Sequence, residues 1–216
     1  MPTPVDLAAL PPSAAPLLNV ANALTVLRLL LVPVFGAFLL TGDGQVTHWR
    51  LAAALVFVAA SFTDRFDGQI ARRHNLITAF GTVADPIADK ALMGTALVAL
   101  SAIGDLPWLI TGVVLAREVG VTALRFWVIR HGVIPASRGG KVKTLLQSLA
   151  IGLYILPLDG WPASVRAWVM AAAVILTLVT GADYVARALR LRATSARAVA
   201  ARERRAAIAR ERAIEL

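Results

Sequence analysis

Six apolar segments, about 24–40, 51–72, 85–103, 106–130, 144–158 and 163–191, dominate this chain, and several are purely apolar over only part of their length. The second sets the tightest constraint. Its run LAAALVFVAASFT, residues 51–63, gives about 20 Å of helix at roughly 1.5 Å per residue, short of a hydrocarbon core about 30 Å thick. A helix that crosses there must continue through Asp64, Asp67 and Arg72, so charged side chains enter the depth of the bilayer.

Composition agrees with a membrane setting. Hydrophobic residues make up 58% of the chain and the mean hydropathy is +0.70, above what soluble domains carry. The chain has no Cys, which removes disulfides, thiolate metal sites and cysteine nucleophiles from consideration. The formal charge of +9 is unevenly placed: Arg and Lys crowd into ARRH, RHGVIPASRGGKVK and the C-terminal stretch, while TGDGQVTH, SAIGDLP and PLDGWPASV are poor in them. Basic loops stay cytoplasmic, so six spans put both termini in the cytoplasm and leave short exterior hairpins.

The expected organisation is all-α: a flexible, Pro-rich cytoplasmic leader over 1–18, a six-helix membrane domain over 19–191 and a basic helical tail over 192–216. The start MPTPVDLAALPPSAAP lacks the basic and compact apolar regions of a cleaved signal peptide. The tail interleaves Arg with Glu and has no aromatics, which fits a solvated helix or one resting on anionic lipid, not a nucleic-acid binder.

Polar halves recur. Asn22, Thr25 and Arg28 lie in the first segment, and Arg117, Glu118 and Arg125 in the fourth. Charges at such depth need a wet cavity and partners, so the sequence predicts a polar cavity among the helices, open to the cytoplasm. Asp64, Asp67, Gly68, Ala71 and Arg72 stand at i, i+3, i+4, i+7 and i+8, one helical face with two carboxylates around small residues. Gly81, Asp85 and Asp89 repeat the i+4 step after RHNLITAF, with Pro86 expected in the first turn of the third helix.

Two such helices facing each other gather four carboxylates, which cannot all stay ionised in a low-dielectric site without cations. Oxygen ligands with no His or Cys point to Mg²⁺ or Mn²⁺. Two ions there would neutralise a pyrophosphate and stabilise both the entering and the leaving oxygen.

The pattern D-x-x-D-G-x-x-A-R followed by G-x-x-x-D-x-x-x-D, filled by Asp64, Asp67, Gly68, Ala71, Arg72, Gly81, Asp85 and Asp89, resembles the signature of the CDP-alcohol phosphatidyltransferases. The resemblance implies six transmembrane helices, a homodimer and a cytoplasm-facing site with two divalent ions, where a CDP-linked lipid loses CMP to an acceptor alcohol. It makes Asp64, Asp67 and Asp85 metal ligands, and Asp89 both a ligand and the base for the acceptor hydroxyl. It places Gly68, Ala71, Arg72 and Gly81 against the CDP portion. Asn22 and Thr25 read either as anchors of the first helix or as further CDP-lipid contacts.

Within the family, NVANALTVLRLLLVPVF, AREVGVTALR and ASRGGKVKTLLQ resemble helices of the bacterial phosphatidylglycerophosphate synthases. That branch implies CDP-diacylglycerol as donor, sn-glycerol 3-phosphate as acceptor, and residence among the lipids of the bacterial plasma membrane. The acceptor is a dianion, and Arg117, Arg125, Arg138, Lys141 and Lys143 offer a cationic pocket for its phosphate. Rival readings are an interhelical structural pair for Arg117 and for Glu118, and topology alone for the lysines. A cardiolipin synthase or phosphatidylinositol-phosphate synthase would share the signature, while a cation or nucleotide transporter would account for intramembrane carboxylates but not for the small residues set among them.

Overall fold

The structure is a computed structural model that describes residues 19–73, 78–128 and 138–194, with side chains of 64–73, 79, 138–139, 141 and 193–194 outside the description. The described residues form six α-helices and one short 3₁₀ turn, with no strand among them. The helices are α1 (Val20–Leu40), α2 (Thr47–Arg73), α3 (Ala79–Ala102), α4 (Trp108–Val128), α5 (Arg138–Ile155) and α6 (Trp161–Thr194). They fall into two compact units, one of Met1–Asp105 with Tyr154–Pro157, the other of Leu106–Leu153 with Leu158–Leu216. The expected leader, most of the basic tail and the loop after α4 lie outside the described residues.

In the first unit α1 packs on α2 and α3. Asn19 caps α1 by accepting the Asn22 N–H at 2.9 Å, satisfying a donor that has no partner within the helix. Its buried face runs Asn22, Thr25, Arg28, Val32, Phe35 and Leu39, polar in the first half and apolar in the second, as the composition of the segment predicts. Phe35 meets Phe57 of α2 with ring centroids 5.7 Å apart, and Gly36 lets Thr95 of α3 approach to 3.2 Å of where a Cβ would stand. Helix α2 runs on past Thr63 to Arg73, as its short apolar run requires.

The chain turns between α1 and α2 through a 3₁₀ turn, Thr41–Gly44, in which Gly42, Asp43 and Gly44 all hold left-handed backbone at φ 64°, 52° and 68°. A side chain at position 44 would also strike Ile103, whose Cδ1 lies 2.6 Å from the Cβ site. Helix α3 ends in a Schellman motif: Gly104, at φ 82°, donates to Ser101 O at 3.2 Å and Asp105 donates to Leu100 O at 3.0 Å.

One expectation is corrected here. An apolar segment starting near 85 puts Pro86 in the first turn of the third helix, but α3 begins at Ala79, so Pro86 sits in its interior and takes one backbone donor out of the ladder. The reason is local: Thr78 adopts extended backbone and its hydroxyl accepts the Gly81 N–H at 3.0 Å, starting the helix well before its apolar run begins. Likewise α5 starts at Arg138, ahead of the apolar stretch that begins near Thr144.

In the second unit α4 packs on α6, whose buried positions Met170, Ala173, Thr177 and Ala188 form one stripe. At the far end Arg192 lies 4.3 Å from the ring centroid of Trp127, a cation–π contact between the two helices. Asp183 pairs with Arg187 one turn along α6 at 2.9 Å. Among the described residues, two helical stretches are long and apolar enough to cross a membrane, Val20–Gly44 and Trp161–Arg192, with Val142–Ile155 a shorter apolar helix.

Candidate active site

In the first unit α1 supplies the polar floor against which the α3 carboxylates stand. The Thr78 hydroxyl donates to Asn22 Oδ1 at 2.8 Å while accepting from Gly81 N–H, so the cap of α3 is itself fastened to the first turn of α1. Gly81 is the residue that permits this approach. A Cβ there would lie 3.0 Å from Asn22 Oδ1, 3.3 Å from Thr78 Oγ1 and 3.8 Å from Asp85 Oδ2.

One turn deeper, Thr25 is 1% exposed and its hydroxyl donates to Asp85 Oδ1 at 2.5 Å. The Thr25 hydroxyl oxygen also lies 3.1 Å from Ala21 O, so a single proton faces two acceptors, and the carboxylate is the stronger. Arg28, the next polar residue on this face, is fully buried. Asp89 follows Asp85 by one helical turn on α3, and both are half-buried.

Asp64, Asp67, Gly68, Ala71 and Arg72 all lie in the last turns of α2, at the helical spacing that puts them on one face, but their side chains lie outside the described residues. Among the described residues no three His, Cys, Asp or Glu side chains gather into an ion-binding group. The described half of the donor set nonetheless fits a hard divalent ion: Asp85 and Asp89 present carboxylate oxygens one turn apart, with Thr25 fixing the first.

The second unit holds a cationic network. Arg117 of α4 donates from Nε to Thr177 O at 3.2 Å and from one terminal nitrogen to Thr180 Oγ1 at 3.0 Å, both on α6. Gly181 makes room for it, since a Cβ there would lie 3.1 Å from Arg117 Cγ. Its other terminal nitrogen meets Glu118 Oε1 at 3.0 Å, and that oxygen also accepts from Lys143 Nζ of α5. Two cations thus share one carboxylate oxygen in a partly buried cluster. The interhelical pairing read as a rival is present, with Glu118 of α4 meeting Lys143 of α5 and Arg117 held to Thr177 and Thr180 of α6. Arg125 is exposed on α4, while the side chains of Arg138 and Lys141 lie outside the described residues.

Sequence reasoning missed Arg50. Buried at the start of α2, it donates to Ile155 O at 2.9 Å, Tyr154 O at 2.5 Å, Gly44 O at 3.2 Å and Asp105 Oδ2 at 2.5 Å. The signal was available: Arg50 stands two residues after a cation-poor stretch, and Asp105 is the lone acid of another.

The sequence model of the CDP-alcohol phosphatidyltransferase family matches residues 18–179. The chain is 57% identical over 173 residues to a probable phosphatidylglycerophosphate synthase of Mycobacterium tuberculosis, covering 80% of this chain and 82% of that protein. It is 38% identical over 174 residues to a CDP-diacylglycerol–glycerol-3-phosphate 3-phosphatidyltransferase of Rickettsia felis (77% and 93% covered), and 36% identical over 182 residues to the Bacillus subtilis protein of that name (77% and 93%). With the signature carboxylates on α2 and α3 and a match across most of its length, the chain belongs to the CDP-alcohol phosphatidyltransferase family.

Proposed function

We propose that this protein transfers the phosphatidyl group of CDP-diacylglycerol to sn-glycerol 3-phosphate, giving phosphatidylglycerophosphate and CMP. The observation that carries the reading is Asp85 and Asp89 one turn apart on α3, the first held by buried Thr25, at the family's spacing from Asp64 and Asp67 on α2. The relatives named for this reaction support the choice of acceptor.

In this reading Asp64, Asp67, Asp85 and Asp89 hold two divalent ions, Mg²⁺ or Mn²⁺, which when bound supply charge neutralisation at the pyrophosphate and at the departing CMP oxygen. Gly68, Ala71, Arg72 and Gly81 line the CDP portion, with Asn22 and Thr25 behind them. Asp89 takes the proton as the acceptor hydroxyl oxygen forms its bond to the lipid-bearing phosphorus. The pyrophosphate P–O bond then breaks and CMP leaves with the electron pair. Arg117, Arg125, Arg138, Lys141 and Lys143 hold the acceptor phosphate, Arg through paired contacts and Lys as point charges.

The setting we propose is six transmembrane helices with both termini and the active site on the cytoplasmic side of the bacterial plasma membrane, in a homodimer. Large apolar side chains turned outward support a lipid environment: Leu109, Phe126, Trp161 and Trp168 are each at least 70% exposed. The test is CMP release by the purified protein with CDP-diacylglycerol and a panel of acceptors. Preference for sn-glycerol 3-phosphate is expected. Preference for inositol phosphate or phosphatidylglycerol would move it to another branch of the family, and ion or nucleotide flux without CMP release would make it a transporter.

A further inference from the structure

The buried face of α5 changes character along its length: Ala150, Ile151 and Tyr154 are apolar, whereas Lys143 and Gln147, one turn apart, are polar and each 5% exposed. Lys143 is accounted for by Glu118. Gln147 is not: its side-chain oxygen Oε1 is buried and has no hydrogen-bond partner among the described residues. A buried acceptor left unmade is costly and is retained where something supplies a donor. Here Lys143, one turn away on α5, and Arg117 of α4 both meet Glu118 Oε1, and both are cations of the kind that bind phosphate. Four residues of helix advance about 6 Å, the scale of a small phosphorylated polyol.

Resting on the glycerol-3-phosphate reading above, we propose that Gln147 is a specificity residue of the acceptor site. Its Oε1 accepts a hydrogen bond from the middle hydroxyl of sn-glycerol 3-phosphate while the phosphate sits on Lys143 and Arg117. The residue thereby recognises acceptors bearing a hydroxyl next to the reacting carbon, and an acceptor without that group leaves the oxygen unpaired inside the protein.

The experiment compares two acceptors, sn-glycerol 3-phosphate and 3-hydroxypropyl phosphate, which lacks only the middle hydroxyl. CMP release is followed with CDP-diacylglycerol saturating. Wild-type protein should favour glycerol 3-phosphate in kcat/KM by about tenfold or more. Gln147→Leu should remove most of that preference by lowering kcat/KM for glycerol 3-phosphate, leaving the deoxy acceptor and the KM for CDP-diacylglycerol nearly unchanged. Where Gln147→Leu does not fold, Gln147→Met serves in its place and is read the same way. Equal losses on both acceptors, or a preference that survives the substitution, would overturn the assignment. A wild-type protein that turns over neither acceptor but uses another alcohol would overturn the glycerol-3-phosphate reading itself, and this inference with it.

Discussion

Thr25 of α1 and Asp85 of α3 are 60 positions apart in the chain and share a hydrogen bond of 2.5 Å. A hydroxyl so placed fixes the carboxylate's rotamer and steadies its charge, and partners of this kind typically change metal affinity by about 10–100-fold. Thr25→Val keeps the shape of the side chain and removes the donor. It is expected to weaken Mn²⁺ binding by about tenfold or more, as read by electron paramagnetic resonance titration, and to lower CMP release at limiting metal, while Thr25→Ser restores both. Equal Mn²⁺ affinity in the Val and Ser variants would show that the bond serves helix packing alone.

Asp89 is expected to act when the acceptor hydroxyl attacks, so its removal should divide turnover from binding. Asp89→Asn should lower kcat by about 10²-fold or more while changing CDP-diacylglycerol affinity far less. Stripping divalent ions should abolish CMP release, with Mg²⁺ or Mn²⁺ restoring it. Near wild-type turnover in the variant would remove Asp89 from the base role, and full activity without metal would sink the two-ion reading.

The acceptor phosphate should report on the second-unit cations one at a time. Lys143→Met and Lys141→Met should each raise the acceptor KM by about tenfold, since charge-assisted contacts are worth roughly 1.5–3 kcal/mol, with little effect on the KM for CDP-diacylglycerol. Arg117 differs because it also fastens α4 to Thr177 and Thr180 of α6, so Arg117→Met should lower thermal stability as well. Unchanged acceptor KM in all three variants would refute the pocket.

Arg50 should matter to stability and not to chemistry. Arg50→Leu strips donors from three backbone carbonyls and leaves half-buried Asp105 without its cation, a change expected to cost about 3 kcal/mol. Thermal unfolding in detergent should show the loss, and Arg50→Leu combined with Asp105→Leu should recover part of it. CMP release per folded molecule should stay at the wild-type level. A variant as stable as wild type would mean that water replaces the arginine at this end of the unit.

How far the sequence could be read depended on the range of the interaction. The polar first half of α1 and the run of α2 beyond Thr63 follow from composition against length, and the turn at Gly42 and Gly44 from local backbone preference. The start of α3 was hidden because a threonine cap leaves no mark on hydropathy, which is why Pro86 was put too near the helix start. Arg50 and Gln147 were hidden for another reason. Whether a polar side chain on a helix meets a partner depends on chain far away, and spacing along one helix carries no information about that. The i+4 row of Asp85 and Asp89 was legible, whereas the partners of Asp64 and Asp67 are side-chain matters outside the described residues.

The Arg50 clamp also has a meaning in time. Two of its acceptors, on Tyr154 and Ile155, are 104 and 105 positions downstream, so they do not exist when the arginine leaves the ribosome. At a synthesis rate of about 5–20 residues per second, the guanidinium waits roughly 5–20 s for its last two carbonyls. Until then Gly44 O and, once the third helix is made, Asp105 are the partners that the chain can offer it, and completion of the fifth helix supplies the other two.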